Sequence, residues 1–152
     1  MKVMITGSSG FLGKELKKIL LKNKYEFCFL TRKNKKIRNH YYCPLQNHKN
    51  LAFILNKTKP DVIVNLAAEI NLKKKTKDMY NVNARPLKIF SNYCIKEKKH
   101  LIQSSSILVH GDHRIYSHKT KFKPKIHYGK SKLLADRYII NSGCLYTILR
   151  LG

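Results

Sequence analysis

The opening stretch "MKVMITGSSGFLG" is the feature that most constrains how this chain folds. A short apolar run, Lys2–Thr6, is followed by Gly7, Gly10 and Gly13 at intervals of three residues. The run predicts a buried strand, and the apolar spacing of Phe11–Lys22 predicts a helix after it. Glycines at such a junction let backbone N–H groups approach a pyrophosphate, whose charge the helix dipole favours. The alternative is a simple tight turn in which one glycine packs against the sheet.

The rest of the chain alternates apolar runs with amphipathic segments, which predicts a parallel sheet of the α/β class. The later predicted strands are Phe27–Leu30, a weaker one near "HYYC", "DVIVNLAA", "LIQSSS" and Leu145–Leu149. The later predicted helices are Leu51–Leu55, a long one over Met79–Lys98, and Tyr128–Asn141. On the first helix we expect one shared apolar face made by Leu12, Leu16, Ile19 and Leu20.

Length and cysteine use limit the class of protein. A chain of 152 residues with 43% hydrophobic residues has the size of one domain, here 1–152. Neither an export signal nor an apolar stretch of the ~20 residues that a membrane span needs is found, so we expect a cytoplasmic protein without membrane insertion. The cysteines are far apart and form no C-x-x-C pair, which predicts reduced thiols and no metal site; they are Cys28, Cys43, Cys94 and Cys144.

The charge balance is strongly basic. There are 32 Lys and Arg against 8 Asp and Glu, a formal net charge of +24 that would attract polyanions. The lysines are spread over "KELKK", "RKNKKIR", "KKKTK", "KEKKH" and "KTKFKPK" instead of gathering on one face with stacking aromatics. This dispersion favours compositional drift over nucleic-acid binding, with attraction to phosphorylated small molecules as an intermediate alternative.

The stretch "YGKSK" places Tyr128 and Lys132 four residues apart, so on a helix they share one face. A nearby ammonium stabilises a phenolate and lowers the pKa of the tyrosine, which then serves as an acid or base for a carbinol oxygen. The alternative is an ordinary helix whose Tyr and Lys side chains extend to solvent.

Four landmarks occur in order: "TGSSGFLG", "DVIVNLAA", "SSSILVHG" and "YGKSK". Together they resemble the extended branch of the short-chain dehydrogenase/reductase superfamily, the NAD-dependent epimerase/dehydratase family. The closest pattern is that of UDP-glucose 4-epimerase and related nucleotide-sugar epimerases, dehydratases and reductases. The resemblance implies a Rossmann-type doubly wound parallel sheet with helices on both faces, NAD(P) as cofactor, and a nucleotide-sugar-like substrate. It also implies oxidoreductase or isomerase chemistry through transient hydride transfer, and a homodimer.

The same resemblance assigns the site residues. Ser106 would hold the substrate oxygen, Tyr128 would be the acid/base, and Lys132 would bind the nicotinamide ribose and lower the pKa of Tyr128. His110 stands where the family has a tyrosine. The implied cofactor contacts are Gly7, Ser9, Gly10, Phe11, Leu12, Gly13, Arg32, Leu66, Ala67, Ala68, Asn83, Ser104, Tyr128 and Lys132.

The end of the second strand bears on the choice of cofactor. Family members that prefer NAD carry an acid there for the adenosine ribose, whereas this chain has Thr31 and then Arg32, followed by Lys33, Lys35 and Lys36. A guanidinium suits the 2′-phosphate of NADP, so NADP is favoured, with NAD as the alternative. The family's acid after the third strand is also missing from "CPLQN".

The last residues, "LYTILRLG", match the sixth strand of the family, beyond which most of its sugar-nucleotide site is formed. We therefore expect a cofactor-binding half that lacks the C-terminal substrate-binding part. Two functions follow: a partial enzyme of the epimerase/dehydratase or reductase type, or a non-catalytic dinucleotide-binding module that needs a partner chain for activity.

Overall fold

The described strands form one six-stranded sheet, and every neighbouring pair is parallel. The computed structural model describes residues 1–34, 37–71, 76–112, 117 and 119–152. The strands are β1 (Lys2–Thr6), β2 (Glu26–Thr31), β3 (His40–Tyr42), β4 (Val62–Asn65), β5 (His100–Ser106) and β6 (Leu145–Leu151). Their order in the sheet is β3-β2-β1-β4-β5-β6. The strand order reverses between β1 and β4, which is where ligands bind in open α/β sheets.

Helices cover both faces of the sheet, which confirms the predicted doubly wound α/β class. They are α1 (Phe11–Lys22), α2 (His48–Thr58), α3 (Thr76–Asn83), α4 (Arg85–Glu97) and α5 (His127–Ile140), with a short 3-10 helix over Ile107–Val109. On one face Leu20 of α1 packs with Ile5 and Val64 of the sheet. On the other face Met4 and Ile63 belong to a larger cluster that includes residues of α2, α4 and α5.

The predicted apolar face of α1 is only partly the buried one. Leu20 is buried and Leu16 packs against the core, but Leu12 and Ile19 are 45% and 56% exposed. The buried line runs through Gly13, Leu16 and Leu20, at i, i+3 and i+7. The prediction missed this buried line because its first residue, Gly13, is a glycine, and a search for periodic apolar side chains does not include glycine.

The predicted single helix over Met79–Lys98 is wrong. The chain forms two helices, α3 and α4, separated at Ala84, whose φ and ψ are −114° and −52°. Pro86 occupies the first turn of α4. Proline lacks an N–H and its ring clashes with the carbonyl four residues earlier, so a continuous helix is broken at this point.

Strand β1 and helix α1 have the predicted bounds, and the remaining predicted elements are present with shifted ends. Helix α2 is longer than Leu51–Leu55, because Asn47 caps it and accepts a hydrogen bond from the N–H of Asn50 at 3.1 Å. The strand in "DVIVNLAA" ends at Asn65, and the next three residues, 66–68, form a loop without regular structure. That loop lies at the carboxyl edge of the sheet, where the candidate site is found.

All four cysteines are free and buried. Within the described ranges, no helix has the length and apolar character to cross a membrane. Among the same residues, no three His, Cys, Asp or Glu side chains are grouped closely enough to hold a metal ion.

Candidate active site

Two glycines of the loop between β1 and α1 are required by close packing. Gly7 has φ of +70°, and a Cβ there would lie 2.7 Å from the backbone nitrogen of Ala67. A Cβ at Gly13 would lie 2.4 Å from the carbonyl oxygen of Gly7 and 2.6 Å from the Cα of Ser8. These glycines therefore let the loop pack against the segment after β4 and let α1 pack against the loop.

Gly10 differs from the other two because it faces outward. It is the N-cap of α1, it is exposed, and a Cβ there would meet only the Gly7 carbonyl oxygen, at 3.3 Å. No side chain caps this helix and its first turn holds no acid, while Ser9 and Phe11 are also exposed. A tight turn explains Gly7 and Gly13 but not Gly10, whose open side presents a helix N-terminus suited to an anion.

A buried ladder of polar side chains joins the carboxyl ends of β1, β4 and β5. The hydroxyl of Thr6 donates to Asn65 Oδ1 at 2.5 Å, and Asn65 Nδ2 donates to Gln103 Oε1 at 2.7 Å. Gln103 Nε2 then donates to the carbonyl oxygen of Ser104 at 2.8 Å. Thr6 also accepts from the backbone N–H of Ala67 at 3.0 Å, so the ladder fixes the loop after β4.

The ladder ends at Lys132 of α5. Its Nζ donates to the carbonyl oxygen of Ser104, and only 1% of the residue is exposed. Burial lowers the pKa of Lys132 to about 8, against the opposing effect of the Asp136 carboxylate. Burial raises the pKa of Tyr128, one turn earlier. The expected lowering by Lys132 is therefore not found in this structure, because desolvation by burial dominates at Tyr128.

The serine run lies beside this helix. Ser106 is the N-cap of the 3-10 helix, and its Oγ accepts from the N–H of Leu108 at 3.2 Å. A Cβ at Gly129 would lie 2.5 Å from the carbonyl oxygen of Leu108, so the glycine of "YGKSK" lets α5 approach this segment. Lys132 thus contacts Ser104, and Gly129, next to Tyr128, packs on the 3-10 helix that Ser106 caps.

Asn83 has a different environment from the expected cofactor contact. Its Nδ2 donates to the carbonyl oxygen of Glu69 at 2.9 Å and to Ser131 Oγ at 3.0 Å, and its Oδ1 accepts from the Glu69 N–H at 2.7 Å. Ser131 Oγ in turn donates to the carbonyl oxygen of Tyr128 at 2.7 Å. Both amide hydrogens are in use, so Asn83 ties the loop after β4 to α5 instead of offering donors to a ligand.

Arg32 follows β2, and its side chain is 75% exposed. Its Nη1 lies 4.0 Å from the Oε2 of Glu69, whose side chain is 10% exposed. Glu69 of the loop after β4 thus lies at the limit of ion-pair distance from Arg32. No local sequence pattern predicts this contact, because the two residues are 37 positions apart. The lysines at 35 and 36 lie outside the described residues.

A cavity of about 320 Å³ adjoins this contact. It is lined by Gln46, Glu69, Asp78, Asn81 and Val82, from the loop after β3, the loop after β4 and helix α3. Two of the chain's 8 acidic residues thus face one cavity in a very basic molecule.

The parallel sheet, the glycine loop at its switch point and the Tyr–Lys helix beside a serine run define the class: this is the Rossmann-type fold of the short-chain dehydrogenases/reductases, as the resemblance implies. The family model of the RmlD substrate binding domain matches residues 1–152, and the chain belongs to this family.

Individual relatives are similar over about half their length. A dTDP-4-dehydrorhamnose reductase of Aggregatibacter actinomycetemcomitans is 28% identical over 156 residues, which cover 98% of this chain and 50% of that protein. The structure of a hypothetical dTDP-4-dehydrorhamnose reductase from Sulfolobus tokodaii is 27% identical, with a TM-score of 0.81 over 91% of this chain and 51% of that one.

Two further structures share the fold. WbmG of Bordetella bronchiseptica, solved with NAD and UDP, is 18% identical, with a TM-score of 0.88 over 99% of this chain and 52% of that one. The UDP-Glc/GlcNAc 4-epimerase of Campylobacter jejuni is 21% identical, with a TM-score of 0.87 over 98% of this chain and 52% of that one. The chain spans about half the length of the relatives it matches.

Proposed function

We propose that this chain is the NAD(P)-binding part of a nucleotide-sugar reductase. The observation that carries the proposal is the buried Lys132 ammonium, which donates to the Ser104 carbonyl oxygen in the β5 serine run, at the sheet edge that also bears the glycine loop. Tyr128 lies one turn before Lys132 on the same helix. The family match and the relatives named dTDP-4-dehydrorhamnose reductase support a reductase over an epimerase or dehydratase.

The residues present fit a nicotinamide dinucleotide. The open side of Gly10 at the N-terminus of α1 suits a pyrophosphate, with Gly7, Ser9, Phe11, Leu12 and Gly13 around it. The loop of Leu66, Ala67 and Ala68 would line the groove, and Ser104, Tyr128 and Lys132 would face the nicotinamide ribose. The bound cofactor supplies the hydride, and Arg32 supports NADP as the preferred form.

The protonation of Tyr128 agrees with reduction. Because burial raises the pKa of Tyr128, the side chain is a neutral phenol at pH 7 and carries a proton on its oxygen. A carbonyl that is being reduced needs a proton at its oxygen, so Tyr128 would act as the general acid. Ser106 would donate a hydrogen bond to the same oxygen, and Lys132 would supply positive charge beside it.

Tyr128→Phe tests this assignment. We expect the variant to bind NADPH like the wild type, because the ring still packs. In a chain completed with a C-terminal substrate-binding part, we expect it to lose about 10²–10⁴-fold in the oxidation of NADPH by a 4-keto nucleotide sugar. Fluorescence titration and the absorbance of NADPH measure the two quantities. Near-normal turnover in the variant would contradict the role of Tyr128.

A second candidate is a dinucleotide-binding module that works with a partner chain providing the substrate part. Three exposed apolar side chains on β6 favour it; they are Leu145, Leu149 and Leu151. Turnover of a 4-keto nucleotide sugar that appears only when a separate chain carrying the substrate part is added would support this candidate. Turnover by the 152-residue chain alone would exclude it.

A further inference from the structure

Asp136 is a fully buried carboxylate in α5, one turn after Lys132. Its Oδ2 accepts a hydrogen bond from the Ser105 hydroxyl at 2.8 Å and lies 3.4 Å from Nη2 of Arg150, while its Oδ1 has no hydrogen-bond partner. A buried charge is costly unless other charges and hydrogen bonds compensate it. Packing alone therefore does not explain why a buried carboxylate with one unpartnered oxygen lies at this position.

The groups around Asp136 come from three elements. Ser105 belongs to β5, Arg150 to β6, and Lys132 to α5 itself. Residues four apart on a helix have Cβ atoms about 5–6 Å apart. At that spacing the Asp136 carboxylate raises the pKa of the buried Lys132 ammonium through electrostatic attraction, without a direct ion pair. Lys132 makes its hydrogen bond to the Ser104 carbonyl oxygen, next to the serine that binds Asp136.

We propose that Asp136 is a positioning residue for Lys132: its carboxylate, held by Ser105 and Arg150, keeps the buried lysine charged where it donates to the Ser104 carbonyl oxygen. The proposal rests on the proposed function for the role of Lys132 toward the cofactor. Burial alone favours the neutral amine, and the pKa of Lys132 is already lowered to about 8 with the carboxylate present. Burial also raises the pKa of Asp136, while Ser105, Arg150 and Lys132 oppose that rise.

The test is an NMR titration of the ligand-free chain carrying ¹³C-labelled lysine. Lys132 is recognised by its low titration midpoint and by the loss of its signal in Lys132→Gln. In Asp136→Asn we expect that midpoint to fall by about one pH unit or more, since an opposite charge within ~4–6 Å shifts a pKa by that much. Glu15→Gln is the matched control, because it removes one carboxylate from an exposed pair with Lys18 and should leave the midpoint unchanged.

An unchanged Lys132 midpoint in folded Asp136→Asn overturns the proposal. If that variant does not fold, the wild type provides the test. The chemical shift of the ¹³Cγ atom of Asp136 should change at the pH where Lys132 titrates. A chemical shift that stays constant through that pH overturns the proposal equally. Titration of wild type with NADPH is independent of both measurements. Absence of NADPH binding would refute the proposed function and leave the Lys132–Asp136 coupling standing.

Discussion

Gly10 and Gly13 have the same place in a glycine repeat but opposite surroundings. The Cβ of an alanine at position 13 would lie 2.4 Å from a carbonyl oxygen and 2.6 Å from a Cα, both backbone atoms, whereas at position 10 the single contact is at 3.3 Å. Backbone cannot move aside as a flexible side chain does. Gly13 therefore determines the stability of the loop, whereas Gly10 determines its accessibility to a ligand.

Substitutions at the two positions should separate these effects. We expect Gly13→Ala to lower the free energy of unfolding by about 1–3 kcal/mol through overpacking, and Gly10→Ala to remain within about 1 kcal/mol of wild type. Gly10→Val should fold and lose dinucleotide binding, because its branched side chain fills the open side of the helix N-terminus. Urea denaturation and NADPH titration measure these quantities. A Gly13→Ala variant as stable as the wild type would show that the loop can shift.

Arg32→Ala should reduce selectivity between cofactors. A charge-assisted hydrogen bond to the 2′-phosphate contributes about 1.5–3 kcal/mol, so NADPH binding should weaken roughly 10- to 100-fold while NADH binding stays nearly constant. Lys33→Ala in the same loop is the control, since a mobile ammonium contributes less. Titrations at two salt concentrations screen out diffuse attraction. Equal affinity of wild type for NADH and NADPH at the higher salt would contradict the preference for NADP.

Single residues were predictable where their partners are close in sequence. The spacing of Tyr128 and Lys132 is enough to place them on one helix face, and the structure does so. Glu69 and Gln103 were missed because their contacts join loops and strands 14 to 38 residues apart, and no local pattern encodes such a distance. The sequence places Asp136 one helical turn after Lys132. It does not predict that Asp136 is buried, because its burial depends on β6, which comes near only in the folded sheet.

At the scale of elements, the boundaries of β1 and α1 were predicted to the residue. Both are strongly patterned and are separated by glycines. The break between α3 and α4 was missed, although Pro86 is a visible signal, because the apolar spacing continues across it. The break matters for the site: it places Asn83 at the last residue of α3, where it joins the loop after β4 to α5.

Asn83→Ala should loosen that junction. The change leaves the Glu69 N–H and carbonyl without their buried partner, and an unsatisfied buried polar group costs about 1–3 kcal/mol. We expect a lower free energy of unfolding and faster hydrogen exchange at the Glu69 amide. Asn81→Ala, in the same helix, is the control because its buried Oδ1 has no partner to lose. Equal effects of the two substitutions would contradict the junction role of Asn83.

The thiols of the whole molecule are buried, and their burial makes its stability depend on pH in the alkaline range. Burial raises the pKa of Cys28 and Cys43 to about 11 and that of Cys94 to about 12, from 9.0. Groups with a raised folded pKa stabilise fully below the unfolded value and lose that contribution as pH rises above it. The pKa of Lys132 is lowered from its ordinary 10.5 to about 8, so this residue adds stability as the pH rises between those two values. It is one group, however, against three thiols.

We therefore expect the urea midpoint to be level up to about pH 9 and to fall between pH 9 and 11. The measurement requires reductant, so that thiolates are not oxidised, and about 0.5 M salt to screen the net charge of +24. Cys94→Ala should make the fall shallower, because one titrating thiol is gone. A midpoint that stays level or rises to pH 11 would contradict the dominance of the thiols.

The central position of β1 also sets an order of events during synthesis. One edge of β1 pairs with β2, but the other pairs with β4, where Val3 lies opposite Val62. At about 5–20 residues per second, a ribosome needs about 3–12 s to make the intervening chain. During that time the innermost strand of the finished sheet has an open edge, which is a template for pairing with other chains. Gly7 likewise reaches its final contact only once Ala67 has emerged, so a nascent chain carries its glycine loop well before it can bind a ligand there.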